Sequence, residues 1–534
     1  MKTKNSKIKL VFVYLAIFSL GSLFIIGSSY AGEIPNSPTD VYIDQGNNIL
    51  MVTKPNDIPK PFVIKGVGWS AATKAPAQGP DPLNLNNQTQ YGFFFDWDGR
   101  NPNGHDVLNY WLTSQLRERC TKDLPLIKNM NANTVRIYHS LGSNVVDYTK
   151  VAPGIKIVLD ECYKNGIMVI MAVAISKEDL SLRRYLQVVN SYKEHPAILM
   201  WAIGNEWNFN KFYGFSNLED AARAVNQAAV EIKGIDQHHP VSSILGDKFV
   251  DFPIVLTNCP SVDVWGINVY RGNDFGSGDS DLFQQWKNLW EKRLQQPAKP
   301  LYISEFGIDS FRTASYITNG TNPTRADDVT GSEDQQRQAD VDSALWQKIV
   351  TRLSAKYAGE YGLGGVVFEF NDELWKVGNY HVGLGGIVNY ASDHSYDDYN
   401  KEGFVLLGAS PDNVLNEEYF GLVKADRGAK LAYKALQKVF NLAPIAKISI
   451  YNTFSIGKFD LYVVFRGDSS YDLDGQVVSY SWKFGDGSNS SQPNPTHKYI
   501  RPTSLVRKYT VTLTVKDNKG ATATAGTTIE VSPP

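Results

Sequence analysis

Two short segments carry the residues best suited to chemistry. Trp201–Trp207 (WAIGNEW) and Tyr302–Gly307 (YISEFG) each finish an apolar run with a carboxylate, Glu206 and Glu305. An ionisable side chain that closes an apolar run is costly to bury without a partner. One such Glu is explained by a turn into solvent or a pairing with lysine; two in matching settings call for a shared task. A pair of carboxyl groups can divide labour, one donating a proton to a leaving oxygen while the other attacks carbon or activates water. Cleavage of a glycosidic bond requires that division.

The surrounding elements suit such a pair. Between residues 60 and 440 the chain alternates helical stretches with eight apolar, β-branched runs: Phe62–Val67, Thr134–Tyr138, Ile167–Val173, Ile198–Ile203, Val241–Ile244, Val264–Val269, Pro300–Ser304 and Gly365–Phe370. Runs apolar on both faces fit parallel strands covered by helices, and Leu218–Lys233 and Ala339–Ala358 read as two of those helices. The pattern predicts an α/β fold, a (β/α)8 TIM barrel. Glu206 and Glu305 then end strands four and seven, on the face where barrel active sites are built. Three long insertions, 71–120, 313–338 and 377–416, follow the first, seventh and eighth runs and would shape a cleft on that face.

The strand-end motifs resemble those of clan A glycoside hydrolases, which are retaining enzymes on (β/α)8 barrels. The resemblance rests on His195-Pro196 followed by Trp201–Glu206, and on Ser304–Gly307. It implies Glu206 as acid/base and Glu305 as nucleophile, with Asn205 on the sugar 2-hydroxyl. Asn133–Tyr138 resembles the second-strand motif and implies that Arg136 keeps the nucleophile ionised, with Tyr138 beside the substrate. Gly266–Tyr270 resembles the sixth-strand motif and implies a hydrogen bond from Tyr270 to the nucleophile. In Phe368–Trp375, which ends strand eight, Trp375 would be a sugar platform, while Glu369 and Asp372 suit either substrate contact or loop fixing. His139 is a further residue at the cleft or a structural one.

Within the clan the sequence is similar to the family 2 catalytic barrel and to the family 72 β-1,3-glucanosyltransferases, the latter through Phe62–Trp69 and Asn416–Leu422. Family 2 enzymes normally carry β-sandwich domains before the barrel, whereas residues 32–60 form only a short lead-in here. That departure turns the substrate expectation from a galactoside or mannoside towards a β-glucan. Hydrolysis and transfer share one covalent intermediate, so both remain open.

After Asn441–Pro444 helical patterning stops and short alternating strands appear, separated by Asp474-Gly475, Asp486-Gly487 and Asn518–Gly520 turns. Asp472–Gly475, Tyr480–Gly487, His497–Tyr499 and Tyr509–Asp517 closely resemble, in that order, a PKD domain. Tyr480, Trp482 and Phe484 alternate with polar residues and should face its core; Gly475 and Gly487 suit positive-φ turns. Such modules accompany many secreted polysaccharide-degrading enzymes, and a passive spacer is the role expected here. Asp472 and Asp474 alone are too few carboxylates for a calcium site.

The resulting division is a signal peptide (1–31), a lead-in (32–60), a barrel (61–440), a linker (441–445) and a PKD-like β-sandwich (446–534). Lys2, Lys4, Lys7 and Lys9 precede the apolar run Leu10–Ile26, and Ser29-Tyr30-Ala31 offers small residues for cleavage before Gly32. The expected location is secreted, periplasmic or cell-surface, with an uncleaved anchor as the alternative; no later stretch resembles a membrane span. A formal net charge of −2 excludes a globally basic nucleic-acid binder. Cys120, Cys162 and Cys259 allow at most one disulfide and match no metal spacing. No phosphate loop, zinc motif or nucleophile elbow is present, so neither metal nor cofactor is expected, and the expected partner is a polysaccharide or oligosaccharide. The competing reading is a catalytically silent carbohydrate-binding or adhesion protein. The four residues Glu206, Glu305, Asn205 and Arg136 argue against it, because a silent barrel has no chemical need for them.

Overall fold

A computed structural model describes residues 33–69, 116–138, 148–318, 325–372, 381–382, 388–389, 402–405, 411–416 and 419–534. The leader, His139, Trp375 and most of insertions 71–120 and 377–416 lie outside the described residues.

Residues 40–61, expected only as a lead-in, form a three-stranded antiparallel sheet: β1 (Asp40–Asp44), β2 (Ile49–Thr53) and β3 (Lys60–Pro61). The eight apolar runs become eight parallel strands: β4 (Ile64–Gly68), β5 (Thr134–Ile137), β6 (Met168–Ala174), β7 (Ile198–Ile203), β8 (Val241–Gly246), β9 (Val264–Asn268), β10 (Leu301–Phe306) and, after the antiparallel hairpin β11 (Phe311–Thr318) and β12 (Arg325–Glu333), β13 (Gly362–Val367). They close into one barrel in the order β10-β13-β4-β5-β6-β7-β8-β9. The expected barrel is therefore present, and the insertion at 313–338 is largely that hairpin.

Alternation along each strand separates two cores. Val67, Val135, Val169, Trp201 and Ile267 point outwards into a cluster shared with the surrounding helices. Ile64, Ile170, Met200, Ile244, Tyr302 and Val366 point inwards and form a second cluster together with Val41, Ile43, Leu50 and Val52 of the small sheet. That sheet is tied to loops entering the strands: Val41 N donates to His238 O before β8, and Thr39 Oγ1 to Pro196 O before β7. It plugs the N-terminal end of the barrel and leaves the C-terminal end for the site.

The helix Leu218–Ile235 buries Ala221, Ala222, Val225, Ala228, Ala229 and Ile232 at three- and four-residue spacing, and its N-cap Asn217 accepts from Asp220 N. The second expected helix runs over Gln335–Val350 instead of Ala339–Ala358. Asp334 caps it by accepting from Arg337 N, a start signal earlier than the apolar periodicity suggests. All three cysteines are free and buried, and burial raises their thiol pKa values, so no disulfide staples the fold.

The tail is two packed antiparallel sheets around Val463, Phe465, Trp482, Phe484, Tyr499, Leu513 and Val515. Gly487 has the positive φ its turn requires (95°). Gly475 does not; a Cβ there would lie 2.4 Å from Asp472 Oδ2 and 2.3 Å from Asn518 Oδ1, so close approach excludes a side chain. Asp474 is consumed by the barrel. Lys65 of β4, buried on the outer face, donates to its Oδ2 at 2.5 Å and to Phe440 O at 2.9 Å, while Lys519 reaches the same Oδ2 at 2.9 Å. Asn441 Nδ2 adds a bond to Asp517 Oδ2 at 3.1 Å. The tail domain is seated on the barrel wall through a buried ion pair, which a freely swinging spacer would not need.

Candidate active site

The site grows from the residues that end strands. Arg136 on β5 is 2% exposed, and every bond it makes lies at the C-terminal mouth. Its Nη1 donates to Glu305 Oε1 at 2.8 Å, to Ser304 O at 2.8 Å and to Asn268 Oδ1 at 3.2 Å, and its Nη2 donates to Asn205 Oδ1 at 2.6 Å. One planar fork thus joins strands β5, β7, β9 and β10, a task lysine's point charge would not perform. Tyr270 OH donates to the second Glu305 oxygen, Oε2, at 2.8 Å. Asn268 Nδ2 also donates to Asn205 Oδ1, at 3.1 Å, and Ser304 Oγ donates to Asn268 Oδ1 at 2.7 Å. The amide of Asn205 is therefore fixed with its oxygen inwards.

Burial works against the Arg136 charge, yet the neighbouring Tyr138, Glu305 and Tyr302 outweigh it and hold the guanidinium above its ordinary value. The Tyr270 phenol is raised well above its usual range, first by burial and then by the Glu305 charge, so it stays a donor at neutral pH. The Arg136 guanidinium also lies 4.3 Å over the Tyr138 ring. Gly68 at the end of β4 makes room for that ring, since a Cβ there would be 2.8 Å from Tyr138 Oη. Glu206 stands just past β7 in a left-handed conformation (φ 49°), opening the short helix Trp207–Asn210, and its charge reaches the Tyr270 hydroxyl.

The structure thus brings together Arg136, Tyr138, Asn205, Glu206, Tyr270 and Glu305, which sequence reasoning selected. Asn268 was missed as a site residue, although it stands two residues before Tyr270 in the quoted sixth-strand motif; an amide at the last position of an all-buried strand was the available signal. Phe368 and Phe420 were missed as well. Both meet Tyr270 edge-on, at 6.5 and 6.0 Å between centroids. Asp372 proves to fix loops: Lys430 Nζ donates to its Oδ1 at 2.5 Å, to Ser310 Oγ at 2.9 Å and to Tyr419 O at 3.0 Å. Among the described residues no group of three or more His, Cys, Asp or Glu side chains could hold a metal.

Residues 114–327 match the glycosyl hydrolases family 2 TIM barrel domain, and residues 441–531 match the PKD domain. The chain carries a family 2 TIM barrel domain followed by a PKD domain. Similar proteins include the β-glucuronidase of Mus musculus, 29% identical over 194 residues, covering 35% of this chain and 28% of that protein. The microbial collagenase of Vibrio alginolyticus is 42% identical over 94 residues, covering 18% of this chain and 11% of that protein. Each match therefore spans well under a third of the curated relative's length. A solved β-glucuronidase of Bacteroides uniformis covers 78% of this chain and 44% of its own at 15% identity, with a TM-score of 0.40. The family model over 114–327 supports the family 2 likeness and lends nothing to family 72.

Behind β10, which carries Glu305, the barrel buries three further carboxyl groups, Asp309, Asp342 and Asp372. Burial pushes Asp309 up to about 7 despite Arg337, and Asp372 up to about 6 despite Lys430; it also raises Asp342 well above the usual range. Each binds its proton more tightly folded than unfolded, so between roughly pH 4 and 7 the folded state holds more protons and stability falls as pH rises. His195 and Lys65, both lowered by burial, act in the opposite sense near pH 6 and near pH 8, and the carboxylates held below their ordinary value, such as Asp160 and Asp236, do so below about pH 5; the three raised carboxyls dominate in between. The thermal midpoint is expected to be several degrees higher at pH 5 than at pH 8, as read by differential scanning fluorimetry across buffers of equal ionic strength. A midpoint that rises steadily over that range would mean these carboxyls are ionised in the folded protein.

Proposed function

We propose that the protein is an exported, retaining β-glycosidase that acts on a polysaccharide. The observation that carries this reading is the clamp on Glu305: Arg136 holds one oxygen and Tyr270 the other, each at 2.8 Å. Glu305 attacks the anomeric carbon. Glu206 donates a proton to the departing glycosidic oxygen, then takes one from the incoming water or sugar hydroxyl as the glycosyl–Glu305 bond breaks. Asn205, its oxygen occupied by Arg136 and Asn268, keeps its NH2 for the sugar 2-hydroxyl, a contact that strengthens as the ring approaches the transition state. Arg136 stabilises the carboxylate that is consumed in the first step and regenerated in the second.

Export rests on the basic and apolar leader, and no described helix is long and apolar enough to cross a membrane. A β-glucan remains the first substrate to test. Hexuronides come second, because the barrel segment is similar to β-glucuronidases. The deciding experiment is mass-spectrometric product analysis after incubating the chain with β-1,3-, β-1,4- and mixed-linkage glucans, mannan, galactan and a uronic-acid-containing polymer. Shortened products of one polymer identify the substrate class, and products longer than the input identify transfer. Binding to a polymer with no turnover of any would favour the silent platform instead.

A further inference from the structure

We infer that Phe209 is the floor of the subsite for the sugar on the leaving-group side of the scissile bond. The inference rests on the glycosidase reading above and deepens it. Phe209 lies three residues after Glu206, and its N–H donates to Glu206 O at 3.0 Å. It is 51% exposed, whereas Trp207 and Asn208 beside it are buried. A lone exposed phenylalanine needs no explanation in itself; the construction beneath this one does.

The ring rests directly on Gly246, the last residue of β8, where a Cβ would come within 2.1 Å of Phe209 Cε2. Asn208 and Gly246 bond reciprocally: Nδ2 donates to Gly246 O at 3.1 Å, and Gly246 N donates to Oδ1 at 2.8 Å. Trp207 Nε1 donates to Ser243 Oγ at 2.9 Å, and its ring stacks on Phe212 at 5.3 Å. Glu206, Lys211 and Phe212 all hold left-handed backbone conformations, with φ of 49°, 51° and 53°. Such conformations cost free energy and persist only where packing over-determines them. The segment is thus a rigid perch holding one aromatic ring against the barrel rim with half its surface open.

An acid/base stands on the side of the departing oxygen, because it must protonate it. An aromatic ring fixed to the same short helix is placed for the sugar attached through that oxygen. Aromatic rings offer a flat apolar surface to the C–H face of a pyranose, at a small entropic cost when they are already immobilised.

The test compares substrates with and without a sugar leaving group: laminaritriose against β-glucosyl fluoride, with glucuronosyl counterparts of both run beside them. Phe209→Ala should lower kcat/KM on the oligosaccharide about tenfold to a hundredfold, and on the fluoride less than threefold. Phe209→Tyr should restore the oligosaccharide rate, and Gly246→Ala, which displaces the ring without removing it, should reproduce the selective loss. Equal losses on both substrate types, or no loss on either, would overturn the assignment. A wild-type protein inert towards these probes and towards every polymer of the product-analysis panel would instead remove the glycosidase reading beneath it, a failure visible before any variant is made.

Discussion

Glu305→Gln is expected to abolish turnover while leaving the folded structure in place. Glutamine keeps the shape of the side chain. Its amide oxygen can accept from Arg136 as Glu305 Oε1 does at 2.8 Å, and its NH2 can face the Tyr270 oxygen that now donates to Oε2. What disappears is the anionic oxygen that forms the glycosyl–enzyme bond in the proposed mechanism. Without it the two-step route is closed, and a loss on the order of 10⁵-fold in kcat is expected. The measurement pairs initial rates on the polymer identified by product analysis with a thermal melt of the variant. More than about one per cent residual activity in protein free of wild-type contamination would show that Glu305 is not the nucleophile. A collapsed melting curve would show that the carboxylate is needed for folding, which the isosteric bonds argue against.

The candidate site was legible in sequence to the extent that the residues selected there lie together at the strand ends. Asn205-Glu206 and Ser304-Glu305 each close a strictly apolar run, and a polar residue in that position has few structural excuses. The barrel was legible for the same reason: both faces of each strand are buried, so each reads as a continuous apolar run. Features that depend on contacts between distant segments were not. Nothing in residues 40–61 announces a plug, because its alternation is short and its partners, His238 and Pro196, are remote in sequence. Lys430 reads as an ordinary basic residue ahead of a helix, yet it is buried and joins Ser310, Asp372 and Tyr419. Gly475 looked like a positive-φ turn and proved to be a steric requirement of Asn518, forty-three residues later.

Lys65 shows the same limit. Lys65 stands within Phe62–Val67, a run the sequence reads as covered on both faces, and nothing in that run shows what pairs its charge. In the fold both faces of β4 are covered, and the charge escapes isolation only because the tail domain brings Asp474 to it. Burial drops the lysine to about 8 even with that partner present. The barrel and the PKD domain therefore share a desolvated charge pair: without Asp474 the Lys65 charge would be buried and uncompensated, whereas without Lys65 the Asp474 carboxylate would keep Lys519.

Arg136→Met separates holding the proposed nucleophile, Glu305, from supplying it. Methionine fills a similar volume without charge or donors, so Glu305 loses the cation at 2.8 Å, Asn205 loses its 2.6 Å bond, and Ser304 O and Asn268 Oδ1 lose theirs. Removing one partner of a buried ion pair typically costs about 3–5 kcal/mol, so the thermal midpoint should fall by several degrees, and by more than in Glu305→Gln, which also leaves a charge without its counter-ion but keeps both hydrogen bonds. Activity should fall on the order of a thousandfold, because the carboxylate persists but is no longer aimed or electrostatically supported. The distinguishing signature is the pH profile. Removing a cation beside a carboxylate favours its protonated form, so the acidic limb of kcat/KM should move to higher pH. Arg136→Lys should recover part of the charge effect, and hence part of the limb, but little of the rate, since one ammonium cannot serve Glu305 and Asn205 at once. A thousandfold loss with an unmoved acidic limb in both variants would assign Arg136 a purely structural role.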